Sequence, residues 1–374
     1  MLKHDIIKLG YKSVVKPILF CVDAEKVHNR HTGFGEFLGS RKWGKGFTRG
    51  LFAYDNDKLC QTVLGVEFSN PIGLAAGFDY DGHLAGVMNS VGFGFNTVGT
   101  VTAKPYEGNN FPRLARLPKS KSLLVNKGFK SEGADKVLER LDAKDLEDST
   151  VGISVGSSNL PEVDSISKAV DDYLYTFEKF KSRGYVKYFE LNVSCPNMNV
   201  KENFTDIESF DTLVKEVTRL NIKQPIFVKM PNEISEENTA KLLDISIGQN
   251  IVSFIFSNLA KDRSNKKFVP SEIKRFKDKK GNFSGKPTEV NVDKLIAFVR
   301  NKYGKNINIV GCGGVFDAVG AYRKIKLGAN LVQLITGMVF EGPQLAGDIN
   351  YRLVKLLKND GFENISEAVG SELG

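Results

Sequence analysis

The sequence predicts an α/β protein, a (β/α)8 TIM barrel that carries an amphipathic helical extension at its N-terminus. The first observation is a rhythm: from Val66 onward, short apolar segments typical of strands alternate with segments of helical periodicity. The second is that the strand-like segments end in polar or glycine-rich residues, as at Gly99-Thr100 and Ser257-Asn258. Strand ends of this kind are where such barrels bind their ligands.

The strand-like segments cover residues 71–76, 96–101, 151–155, 188–193, 225–230, 251–256, 307–310 and 331–335. Helical patterns lie between most of them, at residues 169–181, 210–220, 236–247, 292–299 and 318–327. Strands that alternate with helices in this way favour a closed parallel barrel. An open, doubly wound sheet is the alternative, but no Gly-x-Gly-x-x-Gly follows the first strand.

Composition places the chain among globular proteins. Its 374 residues, 41% hydrophobic and 26% charged, accommodate a barrel of about 250 residues with extensions. The net charge of +8 favours anionic ligands or lipid, but the lysines are dispersed without interleaved aromatic residues, so no nucleic acid is expected as a partner. The four cysteines are scattered, as in a reducing compartment, and the four histidines match no zinc spacing, so no metal is expected.

Residues 1–45 are expected to form the extension and residues 46–374 the barrel domain. Apolar residues at helical spacing, with lysines on an adjoining face, predict an amphipathic helix with a basic flank. The apolar residues are Ile7, Tyr11, Val14 and Ile18. Pro17 and the lysines interrupt any apolar run, so no membrane span is predicted. The functional interpretation is a helical hairpin at an anionic bilayer surface, and the alternative is a helix that packs on the domain.

A second short helix is predicted at residues 24–31, with Asp23 as its N-cap. The glycine-rich, basic residues 32–50 are expected to be a linker. No small-residue cleavage site follows the first helix, so a secretory signal is not expected.

The strand at residues 188–193 runs directly into a Cys-Pro turn, and this junction is the leading candidate for chemistry. Cys195 carries a thiol, whose ordinary pKa of about 8.5 lets it act as nucleophile or general base with modest help. Asn192 and Asn197 each donate and accept hydrogen bonds, which suits a planar ligand with amides and a carboxylate. The alternative is a buried cysteine in a core strand, but the flanking carboxamides favour a site.

Two glycine clusters predict a phosphorylated cofactor. Gly311-Cys312-Gly313-Gly314 follows the seventh strand and Thr336-Gly337 the eighth, and barrel phosphate sites are commonly built from these two loops. Lys229 ends an otherwise apolar strand, where burial is costly unless the lysine meets negative charge, such as a cofactor phosphate or an electron-rich ring. A lysine whose ammonium reaches solvent is the alternative.

These features resemble the dihydroorotate dehydrogenase family over residues 19–368, nearly the whole chain. The most specific segments are residues 70–79 (Asn-Pro-Ile-Gly-Leu-Ala-Ala-Gly-Phe-Asp), 92–105, 112–118, 192–197 (Asn-Val-Ser-Cys-Pro-Asn), 284–287 (Ser-Gly-Lys-Pro) and 313–315. Residues 22–28, Val-Asp-Ala-Glu-Lys-Val-His, resemble the start of the membrane-associated, quinone-linked class, whose extra helices form a tunnel to the flavin.

The resemblance implies an FMN-dependent barrel that oxidises (S)-dihydroorotate to orotate in de novo pyrimidine (UMP) biosynthesis and passes the electrons to a quinone. It gives Cys195 the position of the base that removes a proton from the substrate. The implied substrate-binding residues are Asn192, Asn197 and Asn258, with Asn126 or Lys127 as a further contact. The implied FMN-binding residues are Ala75, Ala76, Gly77, Thr100, Asn192, Lys229, Ser257, Gly285, Gly313, Gly314, Thr336 and Gly337. His28 and Arg116 match the region of the quinone tunnel.

Four positions depart from the family pattern. The quinone-linked class ordinarily has serine as base, whereas the soluble class ordinarily has cysteine. A thiol is more acidic than a serine hydroxyl, so Cys195 can still act as the base. Tyr80 stands in place of the usual lysine after Gly-Phe-Asp, and Ile335 replaces a usual aromatic residue. The usual Asn-x-x-Gly-Phe is one residue shorter, so either Asn126 or Lys127 is expected to reach the substrate.

The expected protein is therefore a peripheral enzyme on the cytoplasmic side of a membrane, such as the inner membrane of a bacterium, with an oligomeric state that the sequence leaves open. Cys195 suggests an alternative in which fumarate or NAD is a soluble acceptor. Tyr80 and the shortened loop suggest oxidoreduction of another dihydropyrimidine. A non-catalytic flavin-binding protein of the membrane surface is a third alternative, disfavoured because the base and its carboxamides are all present.

Overall fold

Eight parallel strands close into a barrel in this computed structural model, which describes residues 2–195, 198 and 204–373. The strands of the chain are β1 (Gln61–Val63), β2 (Val66–Phe68), β3 (Ile72–Asp79), β4 (Phe95–Val101), β5 (Leu114–Leu117), β6 (Ser122–Val125), β7 (Val151–Val155), β8 (Val186–Asn192), β9 (Ile226–Met230), β10 (Ser253–Phe256), β11 (Asn282–Gly285), β12 (Asn308–Cys312) and β13 (Leu331–Leu334). The barrel order is β3-β4-β7-β8-β9-β10-β12-β13, closing back on β3. The predicted (β/α)8 TIM barrel is confirmed, and each predicted strand corresponds to one barrel strand.

Helices alternate with the barrel strands, and the predicted barrel helices correspond to five of them. The helices are α1 (Leu2–Gly10), α2 (Lys16–Phe20), α3 (Ala24–Gly39), α4 (Lys42–Phe52), α5 (Met88–Val91), α6 (Ala134–Asp142), α7 (Ile166–Phe180), α8 (Ile207–Arg219), α9 (Glu236–Gly248), α10 (Pro270–Ile273), α11 (Glu289–Tyr303), α12 (Ala318–Lys326), α13 (Thr336–Glu341) and α14 (Leu345–Asp360). Side-chain oxygens of Ser165, Asp206, Ser235 and Asp317 accept hydrogen bonds from free backbone N–H groups and so fix the starts of α7, α8, α9 and α12.

The barrel strands are runs of mostly apolar residues because one face is covered by the outer helices and the other by the barrel interior. In β7, for example, all five residues are buried. Aromatic rings fill the interior at the amino ends of the strands. Phe68, from the β1–β2 hairpin, has its ring centroid 5.1 Å from that of Phe95, and Phe95 lies 6.1 Å from Tyr188. This apolar plug closes the amino end, so the carboxyl ends of the strands are left for a ligand.

The extension consists of α1 to α4, with a π-helical segment, Tyr11–Val15, between α1 and α2. The predicted cap of α3 is confirmed, because the side chain of Asp23 accepts from the backbone N–H groups of Glu25 and Lys26 at 3.1 and 3.0 Å. The prediction of a linker at residues 32–50 is wrong: α3 continues to Gly39, and α4 occupies most of the remainder.

The glycines of this segment serve close packing and not chain flexibility. A Cβ atom on Gly44 would clash with the backbone of Leu38, which belongs to the preceding helix. A Cβ atom on Gly39 would lie 3.2 Å from the backbone nitrogen of Val87, on the barrel. Small residues therefore let α3 and α4 approach each other and the barrel closely.

A three-stranded antiparallel sheet, β5-β6-β11, stands beside the barrel mouth. Its register pairs Arg116 with Leu123 and Leu123 with Ser284. The sheet thereby places Arg116 and the Ser284-Gly285 turn at the same edge of the barrel. Both belong to segments for which the sequence predicted a functional role. Phe283 packs in a small apolar cluster with Leu124 and holds the sheet in place.

Candidate active site

A cavity of about 580 Å³ separates the helical extension from the carboxyl ends of the barrel strands. Its outer part is apolar, and the residues lining it include Ile7, Val15, Leu19, Val27 and Phe34. Its inner part is polar, and the residues there are Thr100, Asn192, Cys195, Lys229 and Asn258. One cavity thus joins an apolar passage between the helices to polar groups at the barrel mouth.

Asn192 is the last residue of β8, and its polar groups are fixed by neighbouring strands and helices. Its Nδ2 donates to Thr100 Oγ1 at 2.8 Å, and Thr100 Oγ1 lies 3.0 Å from Ser154 Oγ. Its backbone oxygen accepts a hydrogen bond from Tyr173 OH at 2.8 Å. Asn192 and Thr100 therefore form a rigid polar edge at the inner end of the cavity.

Cys195 is half-buried and borders the cavity three residues after Asn192. Asn258 Nδ2 donates to Ser194 Oγ at 3.0 Å, so the end of β10 is tied to the turn that carries the thiol. The structure brings Cys195, Asn192 and Asn258 together around one space. Asn197, predicted to bind substrate, lies outside the described residues.

Lys229 is buried in β9, with its ammonium at the inner end of the cavity. Its Nζ lies 3.7 Å from Glu190 Oε2, a distance too long for a hydrogen bond. We expected this buried lysine to lie near a negative charge, and the carboxylate of Glu190 supplies part of it. Among the described residues, none accepts a hydrogen bond from Lys229 Nζ, so its donors are left for a ligand.

The predicted phosphate-binding glycines gather where β11, β12 and β13 end. Gly313 and Gly314 have φ angles of +126° and +72°. A Cβ atom on Gly313 would clash with the side chain of Thr288, and one on Gly314 would lie 2.8 Å from Glu289 Cα. Glycine therefore fits both positions, and turns of this composition are typical of backbone anion-binding sites.

The twelve predicted FMN-binding residues divide by their place at the cavity. Ala76, Gly77, Thr100, Asn192, Lys229 and Thr336 border it. Ala75, Ser257, Gly285, Gly313, Gly314 and Gly337 do not border it. Thr336 connects the two groups, because its Oγ1 lies 2.8 Å from the Oγ of Ser284, the residue before Gly285.

His28 lines the cavity and is enclosed by rings. Its centroid lies 5.0 Å from that of Phe78 and 5.2 Å from that of Tyr80. Burial, reinforced by the positive charge of Lys127, lowers the pKa of His28 to about 4. His28 is therefore a neutral, uncharged member of the passage near pH 7.

Arg116 lines the cavity on the side of the three-stranded sheet. Its Nη1 donates to the backbone oxygen of Val22 at 2.7 Å, and its guanidinium lies 4.8 Å from the centroid of Phe20. Burial lowers the pKa of Arg116 from its ordinary value. Arg116 thus holds the turn between α2 and α3 and brings a cation into the apolar passage.

Of the two residues that the shortened loop left open, Lys127 borders the cavity and Asn126 does not. The carboxamide of Asn126 accepts a hydrogen bond from Asn109 Nδ2 at 3.1 Å. Lys127 Nζ donates to Glu25 Oε1 at 2.6 Å and lies 5.3 Å from the ring centroid of Tyr80. The shortened loop therefore delivers a lysine to the junction between barrel and extension.

Two carboxylates of this region, Glu190 and Glu25, were not predicted from the sequence. Glu190 is fully buried in the strand that leads to Cys195, and Glu25 is buried beside Lys127. The signal for Glu190 was present, because a carboxylate inside an apolar strand needs a partner as much as Lys229 does. Glu25 gave no such signal, since it stands in the first turn of a helix, where acidic residues are common.

The barrel, its glycine loops and its covered polar mouth define a barrel enzyme that binds a phosphorylated cofactor. A sequence model described as dihydroorotate dehydrogenase matches residues 58–357. The chain therefore belongs to the dihydroorotate dehydrogenase family and is an FMN-dependent oxidoreductase. This match confirms the resemblance found in the sequence.

Two curated relatives cover nearly the whole chain. The one from Christiangramia forsetii is 34% identical over 349 residues, which cover 92% of this chain and 99% of the relative. The one from Trichodesmium erythraeum is 31% identical over 375 residues, which cover 96% of this chain and 98% of the relative. Both are named dihydroorotate dehydrogenase (quinone), the class that residues 22–28 predicted.

Solved structures of similar fold include that of the Eimeria tenella dihydroorotate dehydrogenase in complex with ferulenol. It superimposes with a TM-score of 0.79 at 24% sequence identity, covering 94% of this chain and 96% of the other. This likeness supports the fold: a barrel with helices between its strands.

Proposed function

We propose that this protein oxidises (S)-dihydroorotate to orotate with bound FMN and passes the electrons to a quinone that enters between the helices of the extension. Membership of the dihydroorotate dehydrogenase family and the quinone-linked names of two near-full-length relatives support this function. The observation that carries it is the single cavity that joins Cys195 and Lys229 to the apolar passage.

The residues at the barrel mouth fit FMN in two respects. Lys229 presents a buried ammonium whose hydrogen-bond donors are unused among the described residues, as an electron-rich ring requires. Gly313 and Gly314 present backbone N–H groups where a Cβ atom would not fit, as a phosphate requires. Asn192, which pairs with Lys229 in the strand register, and its hydrogen-bond partner Thr100 would also hold the flavin. Bound FMN would supply the two-electron redox chemistry between the substrate and the quinone.

Cys195 is the proposed base that takes a proton from the substrate ring. The thiolate is the active form, and an ordinary thiol needs less assistance to ionise near pH 7 than the serine hydroxyl usual in the quinone-linked class. Asn192 and Asn258 are fixed beside it by hydrogen bonds to Thr100 and Ser194, so both can orient a planar ring against the thiol. The prediction that Asn197 completes this set stands as part of the proposal.

The quinone is proposed to enter along the apolar part of the cavity. Neutral His28 and the rings of Phe78 and Tyr80 provide an uncharged wall, which suits an apolar ring. Arg116 is a cation that faces this passage from the three-stranded sheet, and its guanidinium can donate to a quinone oxygen. The usual aromatic neighbour of Thr336 is replaced by Ile335, which also lines the cavity and keeps the wall apolar.

The extension is further proposed to rest on a membrane, as a peripheral protein of its cytoplasmic side. Seven apolar side chains of α1 to α4 are exposed to between 58% and 67%: Ile6, Leu9, Val14, Ile18, Phe34, Trp43 and Phe47. The segment from α1 through the π-helical turn is thus apolar on two faces, since Ile7 and Val15 line the cavity. No helix among the described residues combines the length and hydropathy of a membrane span.

The basic flank of the first helix serves attachment to the barrel. Lys8 Nζ lies 3.6 Å from Glu341 Oε2, and Lys12 forms an ion pair with the same buried carboxylate. These two lysines are therefore engaged within the protein, so lipid binding through them is less favoured than the sequence suggested. The exposed apolar side chains carry the membrane proposal instead.

The acceptor is tested by measuring orotate formation with a quinone, fumarate and NAD in parallel. We expect turnover with the quinone and little with the soluble acceptors. Replacing Val27, which lines the apolar passage, by Trp should slow quinone turnover at least tenfold while dihydroorotate still reduces the flavin in a single turnover. Turnover supported by fumarate or NAD alone would contradict the proposal.

Membrane binding is tested by flotation with liposomes that contain anionic lipid. The double variant Trp43→Ser with Phe47→Ser should lose most of the bound fraction, because two large apolar side chains no longer enter the interface. Val319→Ser, at a 65% exposed apolar residue on α12, is the matched control and should float like the unaltered protein. Equal flotation of all three would refute the proposed surface.

A further inference from the structure

Four polar side chains form a hydrogen-bonded network inside the barrel, between the apolar plug and the cavity: Thr97, Tyr188, Glu190 and Gln333. Thr97 Oγ1 donates to Glu190 Oε1 at 2.6 Å, and Gln333 Nε2 donates to the same oxygen at 2.7 Å. Tyr188 OH lies 2.7 Å from Thr97 Oγ1. All four side chains are buried, so they form a polar layer in an otherwise apolar interior.

The two oxygens of the Glu190 carboxylate have different surroundings. Oε1 is held by two donors, which fixes the orientation of the whole group. Oε2 is buried and has no hydrogen-bond partner among the described residues. It faces Lys229 Nζ at 3.7 Å, and the register of β8 and β9 places the two residues on adjacent strands.

A buried carboxylate with an unused oxygen is costly unless a cation compensates it. Lys229 is the cation that meets Glu190 in the described residues, and its own ammonium is otherwise unpaired there. The nearby Cys312 responds to both charges: burial raises the pKa of its thiol, Lys229 lowers it and Glu190 raises it. The 3.7 Å separation on adjacent strands makes Glu190 and Lys229 one electrostatic pair beside the cavity.

We propose that Glu190 is a positioning residue that holds Lys229 at the floor of the cavity and partly cancels its positive charge, thereby lowering the reduction potential of the bound flavin. This inference rests on the proposed place of FMN against Lys229. A bare ammonium beside the ring would favour the reduced, more negative flavin. With Glu190 present, the reduced form gains less, and electrons pass on to the acceptor more readily.

The test is the midpoint potential of FMN in the purified holoenzyme, measured by equilibration against redox dyes. Glu190→Gln keeps the size of the side chain and an oxygen for Thr97 and Gln333 but removes the charge. We expect its flavin to favour reduction at least tenfold more, a rise of about 30 mV for a two-electron couple. Glu190→Met, also neutral and of similar length, should shift the potential in the same direction, so the result does not depend on one variant folding.

Two controls separate charge from general disturbance. Glu190→Asp retains the charge and should change the equilibrium less than threefold. Asp293→Asn removes the partner of another buried lysine, Lys324, whose Nζ lies 2.5 Å from Asp293 Oδ1 away from the cavity; it should leave the flavin potential unchanged.

The inference is overturned if neutral and charged variants at position 190 shift the potential alike, or if the neutral variants leave it unchanged or lower it. These outcomes differ from failure of the proposed function. In that case the unaltered protein itself would carry no flavin, or its flavin would not be reduced by dihydroorotate.

Discussion

Replacing Glu25 by glutamine should loosen the attachment of the helical extension to the barrel. Glu25 stands in the first turn of α3 and receives two cations from the barrel side: Lys127 Nζ at 2.6 Å and Arg113 Nε at 3.2 Å. The side chains of Glu25 and Lys127 are only 8% and 7% exposed, so water compensates little of the loss. The pair of Glu25 and Lys127 thus connects α3, which forms part of the wall of the passage, to the barrel loop that carries Lys127.

The expected cost follows from this geometry. Removing one partner of a buried ion pair costs about 3–5 kcal/mol, because the remaining charge stays buried without compensation. The substituted carboxamide would still accept one hydrogen bond, and the Lys127 ammonium keeps its contact with the Tyr80 ring at 5.3 Å, which places the cost near the lower end. A loss of about 3 kcal/mol corresponds to roughly a 10²-fold larger opening equilibrium.

Hydrogen exchange of the backbone amides of α3 measures this opening directly. Protection in α3 should fall about 10²-fold in Glu25→Gln, while protection in the barrel strands changes little. The matched control is Glu36→Gln on the same helix. Glu36 also binds barrel residues, Lys144 at 2.8 Å and His83 at 2.7 Å, but it is 34% exposed, so its loss should cost less than about 1 kcal/mol. Equal protection of α3 in Glu25→Gln and the unaltered protein would mean that the buried ion pair does not hold the extension on the barrel.

Three further predictions concern the passage, the phosphate end and the base. Because burial lowers the pKa of His28 to about 4, the folded state binds fewer protons than the unfolded state between that pH and the ordinary pKa of about 6.5. The contribution of His28 to stability is therefore fully present above about pH 6.5 and is lost toward pH 4, by up to roughly 1.4 kcal/mol per pH unit. His28→Gln should flatten this pH dependence, measured by thermal unfolding. Gly314→Ala should weaken FMN retention strongly, measured by dialysis, whereas Gly304→Ala, also at positive φ but with open space around its Cβ position, should not. Cys195→Ser should keep part of the activity with its pH optimum moved upward, and an unmoved pH profile would contradict a proton-accepting thiol.

The sequence could predict the barrel because its strands are buried on both faces and therefore keep a simple, local signature. β7 is buried from end to end, and its predicted bounds agree with the structure to the residue. The N-cap at Asp23 is likewise a local feature, since its partners lie two and three residues away. Such elements depend on neighbours in sequence, which a single chain displays openly.

What the sequence could not predict depends on partners far along the chain. The glycines of residues 32–50 suggested a linker, yet Gly39 is small because Val87 approaches it. The basic flank of the first helix suggested lipid, yet Lys12 meets Glu341. In both cases the residue contacts a partner on another element of the fold, and a local sequence pattern does not show that partner.

The site shows the same division. Cys195 and Asn192 stand in one short segment, so the sequence could place them together. The pairing of Lys229 with Glu190 arises from two strands that become neighbours only when the barrel closes. The pairing of Lys127 with Glu25 arises from the docking of α3 on the barrel, and the shortened loop gave no hint of this partner.

The central claim is that Cys195 takes a proton from a substrate held against the bound flavin. The most direct measurement is the rate at which dihydroorotate bleaches the flavin absorbance of Cys195→Ala under anaerobic single-turnover conditions. We expect that FMN stays bound and that bleaching slows by about 10²-fold or more, since a positioned base contributes that much. Bleaching at the rate of the unaltered enzyme would contradict it.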